Sequence, residues 1–220
     1  MQVDLERNIV LAIETAVRGG SLSVLKNGSQ IDYWTGESNS SGAEEILDRI
    51  RSIFERNFIE GKSVGLIAVA AGSGSSTGIK IGAAIARGLA KAFNCQTAEV
   101  SILQALLSKL FSDDFAAGER ILTAMPVGRN LIARQSFKRD SSSNDLSLWL
   151  PGAEIEISDF EEFSADVASG RYSQAVLHNV VFRLFETQTN YSGVKIIDAG
   201  INIAKLIGKS ATTNATSVRV

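Results

Sequence analysis

The residues with types and spacing suited to chemistry are few. They are Glu14 at the end of an apolar run, a glycine-hydroxyl loop, one cysteine at Cys95 and one histidine at His178. The loop reads Gly72-Ser73-Gly74-Ser75-Ser76-Thr77-Gly78 and stands between a strand-like and a helix-like segment. Backbone N–H groups at a helix N-terminus in that setting can cradle a phosphate. Its spelling fits neither phosphate template, because no Gly-Lys-Ser/Thr closes it and its glycines are spaced two and four apart. The same residues have a purely structural reading, in which the glycines turn the backbone tightly and Ser75 or Thr77 caps the helix. Cys95 and His178 would have to meet in space to form a nucleophile–base pair, and no motif surrounds either. Cys95 reads as a small core residue and His178 as a strand end. With one His and one Cys, a zinc site built from several such ligands cannot be assembled. No catalytic residue and no metal ligand set is expected.

The composition sets the frame for these residues. Of 220 residues, 45% are hydrophobic and 21% charged, which is ordinary for a chain that buries a core. A balance of 22 basic against 24 acidic residues shows no basic excess of the kind that marks a nucleic-acid surface. The single cysteine rules out an internal disulfide and fits a reducing compartment. The apolar run 9–13 is far short of the roughly 20 residues a membrane helix needs and lacks the form of a signal peptide. The expected location is therefore cytoplasmic, with no membrane partner, and the Asn-x-Ser/Thr triplets at Asn39, Asn190 and Asn214 read as chance matches.

The elements that must position the loop follow from hydrophobic periodicity. Residues 8–15 read as a buried strand. Leu22, Val24 and Leu25 form a second strand, and Ile31, Tyr33 and Trp34 a third, joined by an Asn27-Gly28 turn of type I′. Ile46, Leu47, Ile50, Ile53 and Phe54 recur at helical spacing. Residues 64–71 are a strand-length apolar run leading into the loop, after which a helix extends to Phe93. On that helix Gly78, Gly82, Ala86 and Ala90 form a stripe almost without side chains, and Ile81, Ile85, Leu89 and Phe93 form a second stripe beside it. The small-residue stripe lets another backbone approach closely, whether a partner's helix or the chain's own sheet.

Farther along, 97–100 reads as a strand and Ser101 with Gln104 as the capping box of a helix over 102–111. A lobe boundary is expected near 113–118, paired strands at 120–125 and 131–137, and a polar loop at 140–144. A capping box at Ser158 and Glu161 starts a helix to about Ala168; 174–185 reads mostly as strand. A last helix lies near 198–207, followed by a polar, disordered tail from Ser210. The order of mixed strands and helices predicts an α/β layered fold.

These residues also carry a resemblance. The run Leu66-Ile67-Ala68-Val69-Ala70-Ala71-Gly72-Ser73-Gly74-Ser75-Ser76-Thr77-Gly78-Ile79-Lys80-Ile81-Gly82 resembles the G-x-G-S-F-T-G-[LIV]-R-I-G signature of the TsaB (YeaZ) family. The opening Ile9-Val10-Leu11-Ala12-Ile13-Glu14-Thr15 is similar to that family's I-L-A-I-D-T start, and Val100-Ser101-Ile102-Leu103 to its G-V-S-T-L. Ile121-Leu122-Thr123-Ala124-Met125 stands where the family has V-L-A-A-I. The likeness is good over about the first half of the chain and poor over the second.

The resemblance implies a two-lobed actin/Hsp70/sugar-kinase-like (ribonuclease H-like) α/β fold. The lobes would be 1–112 and a smaller, divergent 113–197, with a C-terminal helix and tail, 198–220, returning to the first. It implies a non-catalytic scaffold subunit for threonylcarbamoyladenosine formation at position 37 of tRNA. Such a subunit pairs with a TsaD-like catalytic subunit, which a TsaE-like ATPase joins, and self-pairs as a homodimer when alone. tRNA would be met only indirectly, and ATP and a metal only with the partner subunits. The pairing helices would be about 44–54 and 79–93, which points to Ile46, Ile50, Ile79, Gly82, Ile85, Ala86 and Leu89 as interface residues. Departures from the pattern are Glu14 for the first-strand Asp, Ser40-Ser41-Gly42 for H-S-E, Ser76 for the loop aromatic and Pro126-Val127-Gly128 for D-A-R. The last removes a carboxylate and a guanidinium from the cleft that the resemblance implies.

Two other functions remain open at this stage. One is an ATP-dependent kinase, which needs carboxylates for Mg²⁺; Glu14 is one candidate. The peptidase (glycoprotease) label attached to this group lacks its metal-binding His pair here. The other is a homodimeric regulatory or interaction module unrelated to tRNA.

Overall fold

The computed structural model describes residues 7–37, 45–110, 118–139, 149–186 and 193–217. The chain divides into two compact units, 1–105 with 202–220, and 106–201.

Among the described residues, the first unit is a five-stranded sheet in the order β3-β2-β1-β4-β5. β1 (Ile9–Glu14), β2 (Ser21–Lys26) and β3 (Ser29–Thr35) form an antiparallel meander. Its tight turn places both Asn27 (φ 51°) and Gly28 (φ 76°) in the left-handed region, as a type I′ turn requires. α1 (Ile46–Arg56) leads to β4 (Val64–Ala71), which lies parallel to β1, and α2 (Ser76–Phe93) crosses over to the parallel β5 (Gln96–Ser101). Alternation along β1 splits its side chains between two layers. Ile9, Leu11 and Ile13 share a core with Ile46, Ile50, Ile53 and Phe54 of α1 and Ala86 and Ala90 of α2.

The helix after Ser101 is shorter than its leucines suggest. α3 (Ile102–Leu106) gives way to a 3₁₀ turn at Leu107–Lys109, although the Ser101 hydroxyl does accept from the Gln104 N–H (3.5 Å).

In the second unit β6 (Arg120–Val127) and β7 (Leu131–Arg139) form an antiparallel hairpin, with β8 (Trp149–Pro151) and β9 (Glu156–Ser158) both pairing with β7. α4 (Phe160–Ala168) is capped by Asp159, whose carboxylate accepts from the Glu162 N–H (2.9 Å), and not by Ser158. Ser158 is buried and its hydroxyl is held by Arg134 instead. β10 (Gln174–Leu177) lies parallel to β6 on one side and to β11 (Lys195–Asp198) on the other.

The expectation of strand through 174–185 fails after Leu177. Asn179–Glu186 is a helix, α5, which buries Val181 and Phe185 one turn apart; ring contacts of Phe185 with Phe160 and Phe163 outweigh the β-branched residues' preference for strand. Likewise, 195–198 is strand, and the last helix starts later and runs longer than expected. α6 (Ile203–Ser217) includes the polar stretch from Ser210, expected to be a disordered tail; Thr212 and Thr213 turn their hydroxyls back onto the Gly208 and Lys209 carbonyls. α6 packs on the face of the first unit's sheet away from α1 and α2. There a Cβ on Gly208 would meet Leu25 at 2.5 Å and Ala12 at 3.2 Å. With helices on both faces, β1 is apolar almost throughout. The expected boundary residues Asp113 and Asp114, the 140–144 loop and Ser40-Ser41-Gly42 lie outside the described residues.

Candidate functional site

The glycine-hydroxyl loop is seated against the turn that follows β1. Only the residues from Gly72 to Ser75 are loop, because Ser76 already opens α2. Gly72 (φ 85°) and Gly74 (φ 135°) need the left-handed region, and a Cβ on Gly74 would strike Ala16 at 2.7 Å. Ser75 caps the helix, its hydroxyl accepting from the Gly78 N–H (3.2 Å). The Ser75 N–H in turn donates to the Ala16 carbonyl (2.8 Å), and the Thr15 hydroxyl to the Gly78 carbonyl (2.7 Å). Two N–H groups that a phosphate would use are therefore spent inside the chain.

Glu14 holds that turn from below. It is 2% exposed; Oε1 accepts from the Val17 N–H (2.7 Å) and Oε2 from the Ser21 hydroxyl (3.4 Å). Burial pushes its carboxyl up to about 7, against the pull of these hydrogen bonds. Ser21 passes the chain on, its hydroxyl accepting from the Ala204 N–H at the start of α6 (3.0 Å).

The expected interface residues separate into two sets. Gly82, Ala86 and Ile46 are buried within the unit's own core, so the small-residue stripe of α2 is not an outward surface. A Cβ on Gly78 would lie 1.9 Å from the Thr15 carbonyl oxygen, and one on Gly82 would lie 2.4 Å from the Thr15 hydroxyl and 3.3 Å from Val69. The close approach that the stripe permits is to β1 and β4. Ile85 and Leu89 are half-buried on the neighbouring stripe, Ile79 is half-buried in the first turn of α2 away from that stripe, and Ile50, though buried, forms part of a groove floor.

That groove, of about 490 Å³, runs between α1 and the C-terminal half of α2. Its apolar lining includes Leu47, Phe54, Leu89 and Phe93, with Phe54 and Phe93 stacked at 5.9 Å between ring centroids. Leu47 is 54% exposed and Phe58 93% exposed at its edge. Arg51, Glu55 and Glu60 supply a charged rim. Spacing alone does not reveal the role of Phe58. The Ile59 N–H reaches the Phe54 carbonyl (2.9 Å) and the Phe58 N–H the Glu55 carbonyl (3.2 Å), which is a Schellman ending for α1. The left-handed position of that motif normally takes glycine; here Phe58 adopts it at φ 54° and projects its ring into solvent. Arg56 anchors this end of α1 to β3 through paired bonds to Asp32 (2.6 and 2.7 Å), and its guanidinium holds the Asp32 carboxyl down at about 2.

The remaining candidates carry little chemistry. Burial raises the Cys95 thiol above its ordinary value, which disfavours the thiolate. Burial pushes His178 down to about 4, leaving a neutral ring whose Nδ1 accepts from the Val180 N–H (3.1 Å). Among the described residues, no group of three or more His, Cys, Asp or Glu is placed to hold a metal ion. No described helix is long and apolar enough to cross a membrane.

Comparison with known proteins adds a family match and a fold match. The sequence model of the TsaD family, tRNA N6-adenosine threonylcarbamoyltransferase, matches residues 38–126. No curated protein matches the sequence. Two solved structures are similar along nearly the whole chain. YeaZ from Pseudomonas aeruginosa has 15% identity and a TM-score of 0.63, with 97% of this chain and 95% of that one covered. An uncharacterized protein with similarity to peptidase YEAZ from Pseudomonas aeruginosa has 17% identity and a TM-score of 0.64, covering 95% and 93%. The inorganic polyphosphate/ATP-glucomannokinase from Arthrobacter sp. strain KM, at 11% identity, has a TM-score of 0.56 over 94% of this chain and 99% of that one. The expected fold class holds: two mixed sheets with helices, a fold shared with YeaZ and with the glucomannokinase.

Proposed function

We propose that this YeaZ-like chain is a non-catalytic partner subunit in threonylcarbamoyladenosine modification of tRNA, and that the α1–α2 groove docks a TsaD-like catalytic subunit. The supporting observation is the groove itself: an apolar, charge-rimmed surface built from two helices of the segment that matches the TsaD family. Its form is that of an interface, with exposed aromatic and aliphatic anchors inside a polar border. Leu47 and Phe58 would enter the partner, and Leu89 and Phe93 would form the floor beneath it. In the absence of that subunit the same surface would pair two copies of the chain. ATP and a metal ion would enter with the TsaD-like subunit and a TsaE-like ATPase, in the cytoplasm, and tRNA would meet mainly those partners.

The kinase reading has less support. It needs a carboxylate free to meet Mg²⁺, and both oxygens of Glu14 are turned onto Val17 and Ser21. Sedimentation of the chain mixed with the TsaD-like protein of the same genome tests the proposal directly. A complex is expected for the native chain, together with at least tenfold weaker association for Leu47→Asp, and tRNA from depleted cells should lose the modified base. A native complex unaffected by Leu47→Asp would move the interface elsewhere, and intact modification in depleted cells would remove the tRNA role.

A further inference from the structure

The second unit carries a cavity of about 190 Å³ at the end of the β6–β7 hairpin, remote in sequence from the groove residues. Arg120 and Lys138 stand directly opposite each other across the β6–β7 ladder, so their side chains share a face with Ser136. Like charges placed in this way repel, and among the described residues neither cation has an ion-pair partner. Lysines on edge strands guard against aggregation, but β6 lies between β10 and β7, and β7 pairs with β8 beyond it. Edge protection therefore does not account for the pair.

The rest of the wall shows where the acids have gone. Arg134 is buried and engages Glu156 (2.7 Å), Glu162 (3.1 Å) and Asp166 (3.0 Å), and Arg171 also pairs with Asp166. Glu162 and Asp166 are thus gathered at the Arg134 end; Glu156 also lines the cavity, but its carboxylate is engaged by Arg134, and among the described residues Arg120 and Lys138 face the cavity without an ion-pair partner. Gly152 closes the other side; its N–H donates to the Ser136 carbonyl (2.9 Å), and a Cβ there would lie 3.1 Å from the Ser136 hydroxyl. Arg171 lies over the Tyr172 ring at 5.7 Å, which keeps a third cation at the cavity wall.

We infer that this cavity is a binding site for a small oxyanion, a free phosphate or the phosphate group of a small metabolite, held between Arg120 and Lys138 with Ser136 as a hydroxyl donor. The size of the cavity favours a small ligand over a polynucleotide backbone, which would need an open basic track.

The test uses the full chain and inorganic phosphate. At a concentration about ten times its dissociation constant, phosphate should raise the melting midpoint by about 3 °C. It should also move the amide NMR signals of Ser136–Lys138 and of Gly152 and Ala153. Arg120→Gln/Lys138→Gln should abolish the shift in midpoint, and Lys138→Gln alone should melt about 1–3 °C higher than the native chain without phosphate, because the repulsion is gone. Absence of both the midpoint shift and the NMR changes overturns the inference, as does an equal shift in the double variant. The NMR result decides the matter if that variant fails to fold. A short single-stranded RNA that moves the same signals when phosphate does not would also overturn it, by assigning the cations to a polynucleotide.

Discussion

The two faces of α2 make the instructive comparison. On its inner face Gly78, Gly82, Ala86 and Ala90 repeat every four residues and bring the helix against Thr15 and Val69. On the adjoining stripe Leu89 and Phe93 repeat with the same period but meet α1 only partway, leaving a groove whose rim includes the exposed Leu47 and Phe58. Both stripes have the spacing of a packing surface. The small one has found its partner inside the chain, whereas the large one still has apolar surface to cover. Bulk therefore matters in opposite ways: on the inner face any added atom collides, and at the groove the added atoms are the surface on offer.

Substitution at Gly82 should have the largest effect. Gly82→Leu places side-chain atoms where Thr15 and Val69 already stand and should cost about 3 kcal/mol or more in chemical denaturation. A variant of native stability that merely lost association would show that the stripe faces outward after all.

Glu14 supports the turn on which that inner face rests, and its titration sets a pH signature. Its folded-state value, about 7, lies above the ordinary carboxyl value of 4.5. For a carboxyl shifted upward, the stability is fully present below 4.5 and is lost as pH rises through about 7. The loss is on the order of 3 kcal/mol. His178 acts in the opposite sense, its contribution being present above 6.5 and lost as pH falls through about 4. The difference between the native chain and Glu14→Gln cancels the histidine, so urea titrations of both at pH 4.5 and pH 8 isolate the carboxyl. The variant should gain on the native chain toward pH 8; no change in the difference would mean that Glu14 is not strained by burial.

Phe58 sharpens the contrast, because fold and surface should respond with opposite signs. Phe58→Gly relieves a bulky residue in the left-handed region and should stabilise the fold by about 0.5–1 kcal/mol. The same change should weaken association with the TsaD-like subunit by about tenfold, or 1.4 kcal/mol. Loss of stability together with association would show that the ring serves the fold, and unchanged association would show that it does not serve the groove. The smallest effect is expected at the half-exposed Arg56, where Arg56→Ala should cost about 0.5 kcal/mol and loosen the end of α1 that carries Phe58. Hydrogen exchange confined to residues 55–60 would register that loosening.

The sequence by itself determined the elements with strong local signals: β1 through its apolar run, the β2–β3 turn through Asn27-Gly28, α1 and α2 through their periodicity, and β4 through its length. These signals lie within a few residues of one another, so they are legible without neighbours. It also marked α2 as a packing helix and the loop as its entry. Tertiary structure decided which side of α2 meets which surface, because a stripe of small residues encodes close approach but not the identity of the approaching backbone. It decided that 179–186 would be helix, through contacts of Phe185 with aromatic residues 22 and 25 positions earlier. It also exposed Phe58, whose left-handed backbone follows from two carbonyl acceptors within α1, and brought Arg120 opposite Lys138, a juxtaposition fixed only when the hairpin register is set. Periodicity reports the burial of a face, whereas a site arises from the particular residues that folding brings opposite one another.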